Sequence, residues 1–234
     1  DVAVLLTEGI VADINKGNPS KILQVYVQSP LIWGIHVANH ASITDISQIS
    51  GKKYAVSRMG SGSHLMAFVD ASQRGFPISE AQLVLVNNLE GAVKALSEGE
   101  ADVFMWEKLM TKPLLDKGIF RRIGECATPW ACFVIAVTKR FLEENQESVI
   151  ALLTVINAVT KDFKQQVGLA QAIADKYHLQ KTDVETWLET VNWASNTNVQ
   201  PEMLEKVSQT LLDLKIIEQK LSFEDLVWQQ NVRT

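Results

Sequence analysis

Gly51 to His64, GKKYAVSRMGSGSH, is the stretch that most constrains the fold. Lys52 to Val56 has the β-branched and aromatic content of a strand, and Leu65, Met66, Phe68 and Val69 resume with the spacing of an apolar helix face. In the turn between them, two glycines let the backbone bend where a Cβ would clash, and three serines offer hydroxyls or an N-cap. The first N–H groups of the new helix have no intrahelical partners. Ser57, Gly60, Ser61, Gly62, Ser63 and His64 can therefore form a nest that meets a carboxylate, sulfonate or phosphate with aimed donors and the positive end of a helix dipole. The same residues also suit an ordinary capped strand-to-helix turn, with His64 on the helix face. Their spacing matches neither GxxxxGK[ST] nor GxGxxG.

The chain on either side repeats this alternation. Asp1 to Leu6 is a continuous apolar strand without a lead-in, and a short helix through Ile10, Val11 and Ile14 stops near Lys16-Gly17-Asn18-Pro19. Ile22 to Val27 and Leu31 to Ala38 read as two further strands, and the β-α-β order predicts a parallel, doubly wound sheet. ITDISQISG leads as a short capped helix into the nest. After the helix from Ser63 to Arg74 come strand Leu83–Val86, helix Leu89–Glu98, strand Ala101–Trp106, helix Glu107–Lys117 and an edge strand Phe120–Ile123. Ala95 to Leu115 resembles the start of the chain, which suggests two related lobes.

ACFVIAVT, Ala131 to Thr138, is a buried strand, and from Lys139 onward the pattern is helical: Glu143–Gln165, Leu169–His178, Lys181–Trp193, Pro201–Ile217 and Ser222–Trp228. Ser222 with Asp225 and Thr182 with Glu185 have the spacing of N-terminal caps. Trp187, Trp193 and Trp228 are expected to be packing anchors.

Composition narrows the function. With 22 basic against 27 acidic residues and no block of like charge, nucleic acid is not an expected partner. No apolar run is long enough to span a bilayer. No signal peptide is visible, which says nothing of compartment, because residue 1 can follow processing. Cys126 and Cys132 could close a small disulfide loop or be two buried thiols, and so few cysteines favour the thiols. His36 and His40 would share a helix face, but their segment reads as a strand, so no metal and no cofactor is expected.

Together, ISQISGKKYAVSRMGSGSH, NNLEGAVKALSEGEADVFMWE and FVIAVTKRFLEENQESV, in this order, resemble the type 2 periplasmic binding proteins. The likeness is to the NMT1/THI5-like branch, which binds nitrate, sulfonates, taurine or thiamine-pyrimidine compounds, and it covers nearly the whole chain. It implies an α/β, two-lobed fold with a helical C-terminal region. The first lobe would comprise residues 1–38 plus 134–234 and the inserted second lobe residues 39–133. The family begins further upstream, so the first lobe is expected to lack its N-terminal strand and helix. The cysteine-rich motif of fungal pyrimidine synthases does not appear.

The resemblance implies a cleft between lobes at the C-terminal ends of strands, closed about a hinge near His36–His40 and Thr128–Phe133. Ligand-binding candidates are Thr7 and Glu8, Trp33 and His36, the nest (Ser57, Gly60, Ser61, Gly62, Ser63, His64), Asn87 and Asn88, and Trp106 and Glu107. The nest would supply donors, Trp33 or Trp106 would stack on the ligand, and Glu8 or Glu107 would accept from a ligand N–H or cation. Trp106 suits the core equally well. Two carboxylates would repel a bare inorganic oxyanion unless paired with Arg58 or a lysine, so a small polar organic molecule fits better.

The expectation is a monomeric, non-enzymatic solute-binding protein serving an ABC transporter. It would be periplasmic or a membrane-anchored lipoprotein on the cell exterior, with the cytoplasm left open. The alternatives are a thiamine-pyrimidine synthase-like enzyme and a ligand sensor of the same fold. A hydrolase using Ser61 or Ser63 with His64 lacks the GxSxG elbow.

Overall fold

A computed structural model describes residues 1–229. Strand β1 (Val2–Leu6) runs directly into α1 (Thr7–Asn15), and β2 (Ser20–Val27) follows. Next come β3 (Ile32–Ala38), β4 (Tyr54–Val56), α2 (Gly62–Gln73), β5 (Leu83–Leu85), α3 (Leu89–Ser97), β6 (Val103–Glu107), α4 (Lys112–Asp116) and β7 (Phe120–Ala127). After β8 (Phe133–Thr138) the chain is helical through α5 (Lys139–Glu144), α6 (Gln146–Asp162), α7 (Leu169–Tyr177), α8 (Lys181–Thr190), α9 (Pro201–Asp213) and α10 (Phe223–Leu226).

The chain forms two compact units, Asp1–Pro30 with the chain from Pro129 on, and Leu31–Thr128. The first unit has a three-stranded sheet in the order β1-β8-β2. β8 is antiparallel to both neighbours, with Val2 opposite Val137 and Ser20 opposite Thr138. This corrects the doubly wound parallel sheet expected from the β1-α1-β2 order. The two strands are parallel to each other but are separated by β8, whose uninterrupted apolar run suits a strand buried on both faces. Leu23, Ile135, Val137, Leu142, Val149 and Leu153 form the core, with Val2, Ile156 and Trp228 packed against it.

The second unit is a five-stranded sheet in the order β5-β4-β6-β3-β7. β4 is parallel to β5 and β6, whereas β3 is antiparallel to β6 and β7. The segment Leu31–Ala38, expected in the first lobe, therefore belongs here. The unit boundaries fall after Pro30 and Thr128 rather than after residues 38 and 133, because β3 hydrogen-bonds to β6 and β7 along most of its length. Ala55, Ala92, Leu96, Phe104 and Phe120 form one face of the core.

Smaller differences have local causes. The helix expected over 107–117 shortens to α4 because the Glu107 carboxylate accepts from the Met110 N–H and holds the preceding residues in a turn. The helix expected over 143–165 is divided at Asn145, with residues 143 and 144 closing α5 and α6 ending at Asp162. Ser222 caps α10 as expected, accepting from Asp225 N at 3.1 Å, but α8 starts at Lys181, so Thr182 lies inside the helix. Cys126 and Cys132 are both buried thiols. Trp187 and Trp193 meet edge to face, 5.8 Å apart.

Candidate functional site

In the second unit the parallel strands β4, β5 and β6 end on one edge of the sheet, so the residues that follow them are gathered without being adjacent in sequence. Because β3 is antiparallel to β6, its first residues return to that edge, and Trp33 sits directly opposite Glu107. The N-terminus of α2 also opens there, after β4. Such an edge, where strands end and helices begin, is where α/β sheets present polar backbone to a ligand.

The nest is built by its own serines. Ser61 is the N-cap of α2, its Oγ accepting from His64 N at 3.3 Å. Ser63 Oγ accepts from Ser57 N at 2.9 Å and lies 3.1 Å from Ser61 Oγ and 3.3 Å from Ser57 Oγ, so one buried hydroxyl ties strand end to helix start. Gly60 occupies the left-handed region at φ +75°, and its N–H donates to His64 Nδ1 at 3.1 Å. His64 is thereby turned into the loop and packs edge to face on Phe68. The N–H groups of Gly62 and Ser63, the first two residues of α2, take no backbone or side-chain acceptor among the described residues.

Asn87 and Asn88 flank the nest. Asn87, with φ 63°, donates its N–H to Ser57 O at 3.0 Å, pinning the end of β5 to the start of the nest. Asn88 is the N-cap of α3, its Oδ1 accepting from Gly91 N at 2.9 Å. A Cβ on Gly91 would stand 1.9 Å from Val86 O, so only glycine lets this second helix start so close to its strand. Both asparagine side chains lie on the exposed surface.

Trp106 is half-buried, stacked on Phe104 at 5.4 Å and packed into the core, which favours its core reading. Trp33 meets it edge to face at 6.4 Å, and the Trp33 Nε1 donor is buried without a hydrogen-bond partner. Burial raises the Glu107 carboxyl above its ordinary value, against the hydrogen bonds it accepts from the Leu109 and Met110 backbone. One of its oxygens is thus committed to the turn.

His36 is different. It is fully buried, with Nδ1 3.2 Å from Phe104 O and Nε2 3.0 Å from Thr111 Oγ1, and its ring packs near Phe120. Burial, reinforced by the Arg122 guanidinium, holds its pKa down to about 4. Neither nitrogen is left for a ligand, so the structure gives His36 an interior, positioning role in place of the expected ligand contact. Thr111 and Arg122, which enforce this, were not legible because they reach His36 from 75 and 86 residues away in the chain.

The other two candidates lie in the first unit, at the N-terminus of α1. Thr7 is buried, its N–H donating to Cys132 O and its Oγ1 to Ala131 O at 2.6 Å. Glu8 is 2% exposed. Its Oε2 accepts from Trp130 Nε1 at 2.8 Å, and its Oε1 is buried with no partner. Burial pushes this carboxyl above its ordinary value, against hydrogen bonds from its own backbone and from Trp130. Trp130 is the residue that sequence reasoning missed, since an indole 122 positions away carries no local sign of its partner.

These architectures can be set against known proteins. The family described as Ca3427-like PBP matches residues 33–126. The Candida albicans CA3427 gene product, whose structure exhibits the generic periplasmic binding protein fold, superposes on the whole chain and 81% of its own length, with a TM-score of 0.89 and 26% identity. The chain has the type 2 periplasmic-binding-protein fold. The alkanesulfonate-binding protein SsuA of Xanthomonas axonopodis pv. citri, bound to MOPS, shares it at a TM-score of 0.80 and 13% identity, over 98% of this chain and 81% of that one. So does a zinc-bound ligand-binding component of an ABC-type import system from Staphylococcus aureus, at 0.73 and 11%, over 97% and 78%. No curated protein matches the chain by sequence.

Proposed function

We propose that the chain is a solute-binding protein that captures a small polar organic molecule bearing an anionic group and delivers it to an ABC transporter. The observation that carries this reading is the N-terminus of α2, where the Gly62 and Ser63 N–H groups are open and no acidic side chain occupies the first turn. The other candidates at the same sheet edge, the exposed Asn87 and Asn88 and the unpartnered Nε1 of Trp33, supply hydrogen bonds suited to an organic body. SsuA with its bound MOPS, a sulfonate, is the precedent for ligand class, and the import component from Staphylococcus aureus is the precedent for a transporter. On this reading the protein works outside the cytoplasmic membrane, as a monomer and without catalysing a reaction.

A panel of sulfonates, carboxylates, pyrimidines, amino acids and nitrate, screened by thermal shift, tests the proposal. An organic anion should raise the melting temperature, and above Kd the rise should grow with the logarithm of its concentration. Ser61→Asp keeps a competent N-cap but adds negative charge at the nest, so it should leave the melting temperature of the free protein nearly unchanged and abolish the ligand-induced rise. A rise that survives Ser61→Asp would show that the nest is not the anion subsite. A panel without any response would remove the solute-binding reading.

A further inference from the structure

The turn that follows β6 is tied down by groups that reach it from β3 and β7. Arg122 on β7 donates through Nη2 to Lys108 O at 2.8 Å, and Lys108 N donates to Ile32 O at 2.9 Å. Thr111, the N-cap of α4, closes the turn and is fully buried. Its Oγ1 lies 3.0 Å from His36 Nε2 and 3.1 Å from both Glu107 O and Lys108 O. Gly34 makes room for this packing, since a Cβ there would stand 2.5 Å from the His36 ring and 3.0 Å from Arg122 Nε.

One hydroxyl proton has to choose among these three acceptors. Glu107 O already accepts from Thr111 N at 3.3 Å, and Lys108 O accepts from Arg122. The other side of the imidazole decides the matter. His36 Nδ1 is 3.2 Å from Phe104 O, and a carbonyl oxygen can only accept, so Nδ1 carries the proton. Burial and the Arg122 guanidinium hold the pKa of the ring down to about 4, so at pH 7 it is neutral and Nε2 is a bare acceptor. A buried acceptor left without a donor costs free energy, and the Thr111 hydroxyl is the donor within reach.

We infer that His36 is locked as its Nδ1–H tautomer and is a positioning residue: by accepting from Thr111 it fixes the turn over residues 107–111 and, with it, the Trp33 and Glu107 side of the proposed anion-binding edge. Trp33 precedes His36 on β3 and sits opposite Glu107 on β6, so strand, histidine and turn form one frame. The consequence for ligand affinity rests on the solute-binding reading above, whereas the tautomer and the order of the turn do not.

Long-range proton–nitrogen correlation NMR of the whole chain at pH 7 should give His36 a pyrrole-type Nδ1 and a pyridine-type Nε2, the reverse of the tautomer that free histidine favours. Thr111→Val removes the hydroxyl at nearly constant volume, and Thr111→Ser keeps it. Well below the melting temperature, Thr111→Val should speed hydrogen exchange at Met110 N, which the Glu107 carboxylate holds. It should also weaken binding of MOPS about tenfold, the worth of one hydrogen bond, while Thr111→Ser stays within about twofold of the wild type. A pyridine-type Nδ1 in the wild type overturns the inference. So does a Thr111→Val protein with unchanged Met110 exchange or MOPS affinity, or a Thr111→Ser protein that behaves like Thr111→Val. Should no anion bind the wild type, the solute-binding reading fails alone, and the tautomer together with Met110 exchange still decides for or against the lock.

Discussion

Glu8 shows at the residue scale how burial changes chemistry. A carboxylate with one oxygen bound to an indole and the other unsatisfied is costly in its charged form, so its proton is held above the ordinary carboxylate pKa. The sign follows: a group with a raised folded-state pKa contributes stability that is present at low pH and lost as pH rises through that value. Glu8→Gln retains an acceptor for Trp130 and cannot ionise. Its melting temperature should exceed that of the wild type at pH 8, and the gap should close towards pH 4. An equal deficit at every pH would show that the carboxyl is not strained by burial. Glu8 was legible as a candidate because it follows a strand end, but its strained state was not, since that state depends on Trp130.

Among the elements, α2 was the most legible and β1 the least. The extent of α2, its N-cap region and the preceding strand depend on residues within a few positions, so the serines and glycines of the turn announce them, and the structure picks Ser61 as the cap. β1 was recognised as a strand, but its place at the edge of a three-stranded antiparallel sheet was not. It is an apolar edge, with Val4 49% and Leu5 37% exposed, and edges of this kind pair with other chains unless a charge interrupts them. Val4→Lys should raise the temperature at which light scattering begins, while altering stability by no more than about 0.5 kcal/mol, as at other exposed positions. An unchanged scattering onset would mean that β1 does not drive association.

For the whole molecule, the two units carry titrating groups of opposite sign. His36, in the second unit, has a pKa lowered to about 4, so it contributes stability above the unfolded-state value near 6.5 that is lost as pH falls towards 4. The loss is worth about 3 kcal/mol. Glu8, in the first unit, favours that unit as pH falls. Calorimetry at pH 7 and pH 4.5 should therefore show the second unit weakened relative to the first, as a broadened or divided transition, and His36→Gln should reduce the change. A transition that moves without broadening, equally in both proteins, would refute this assignment. By itself the amino-acid sequence determined the strand-turn-helix around residues 52–73, the cap at Ser222, the helical C-terminal region and the order of parts that resembles the periplasmic binding proteins, because short-range geometry and periodicity govern them. Only the tertiary structure decided that β8 enters between β1 and β2, that β3 joins the second sheet, that His36 is closed off by Phe104 and Thr111, and that Trp130 grips Glu8. Those outcomes rest on partners 68 to 135 residues apart, and local propensity places no constraint on which distant strand or side chain arrives.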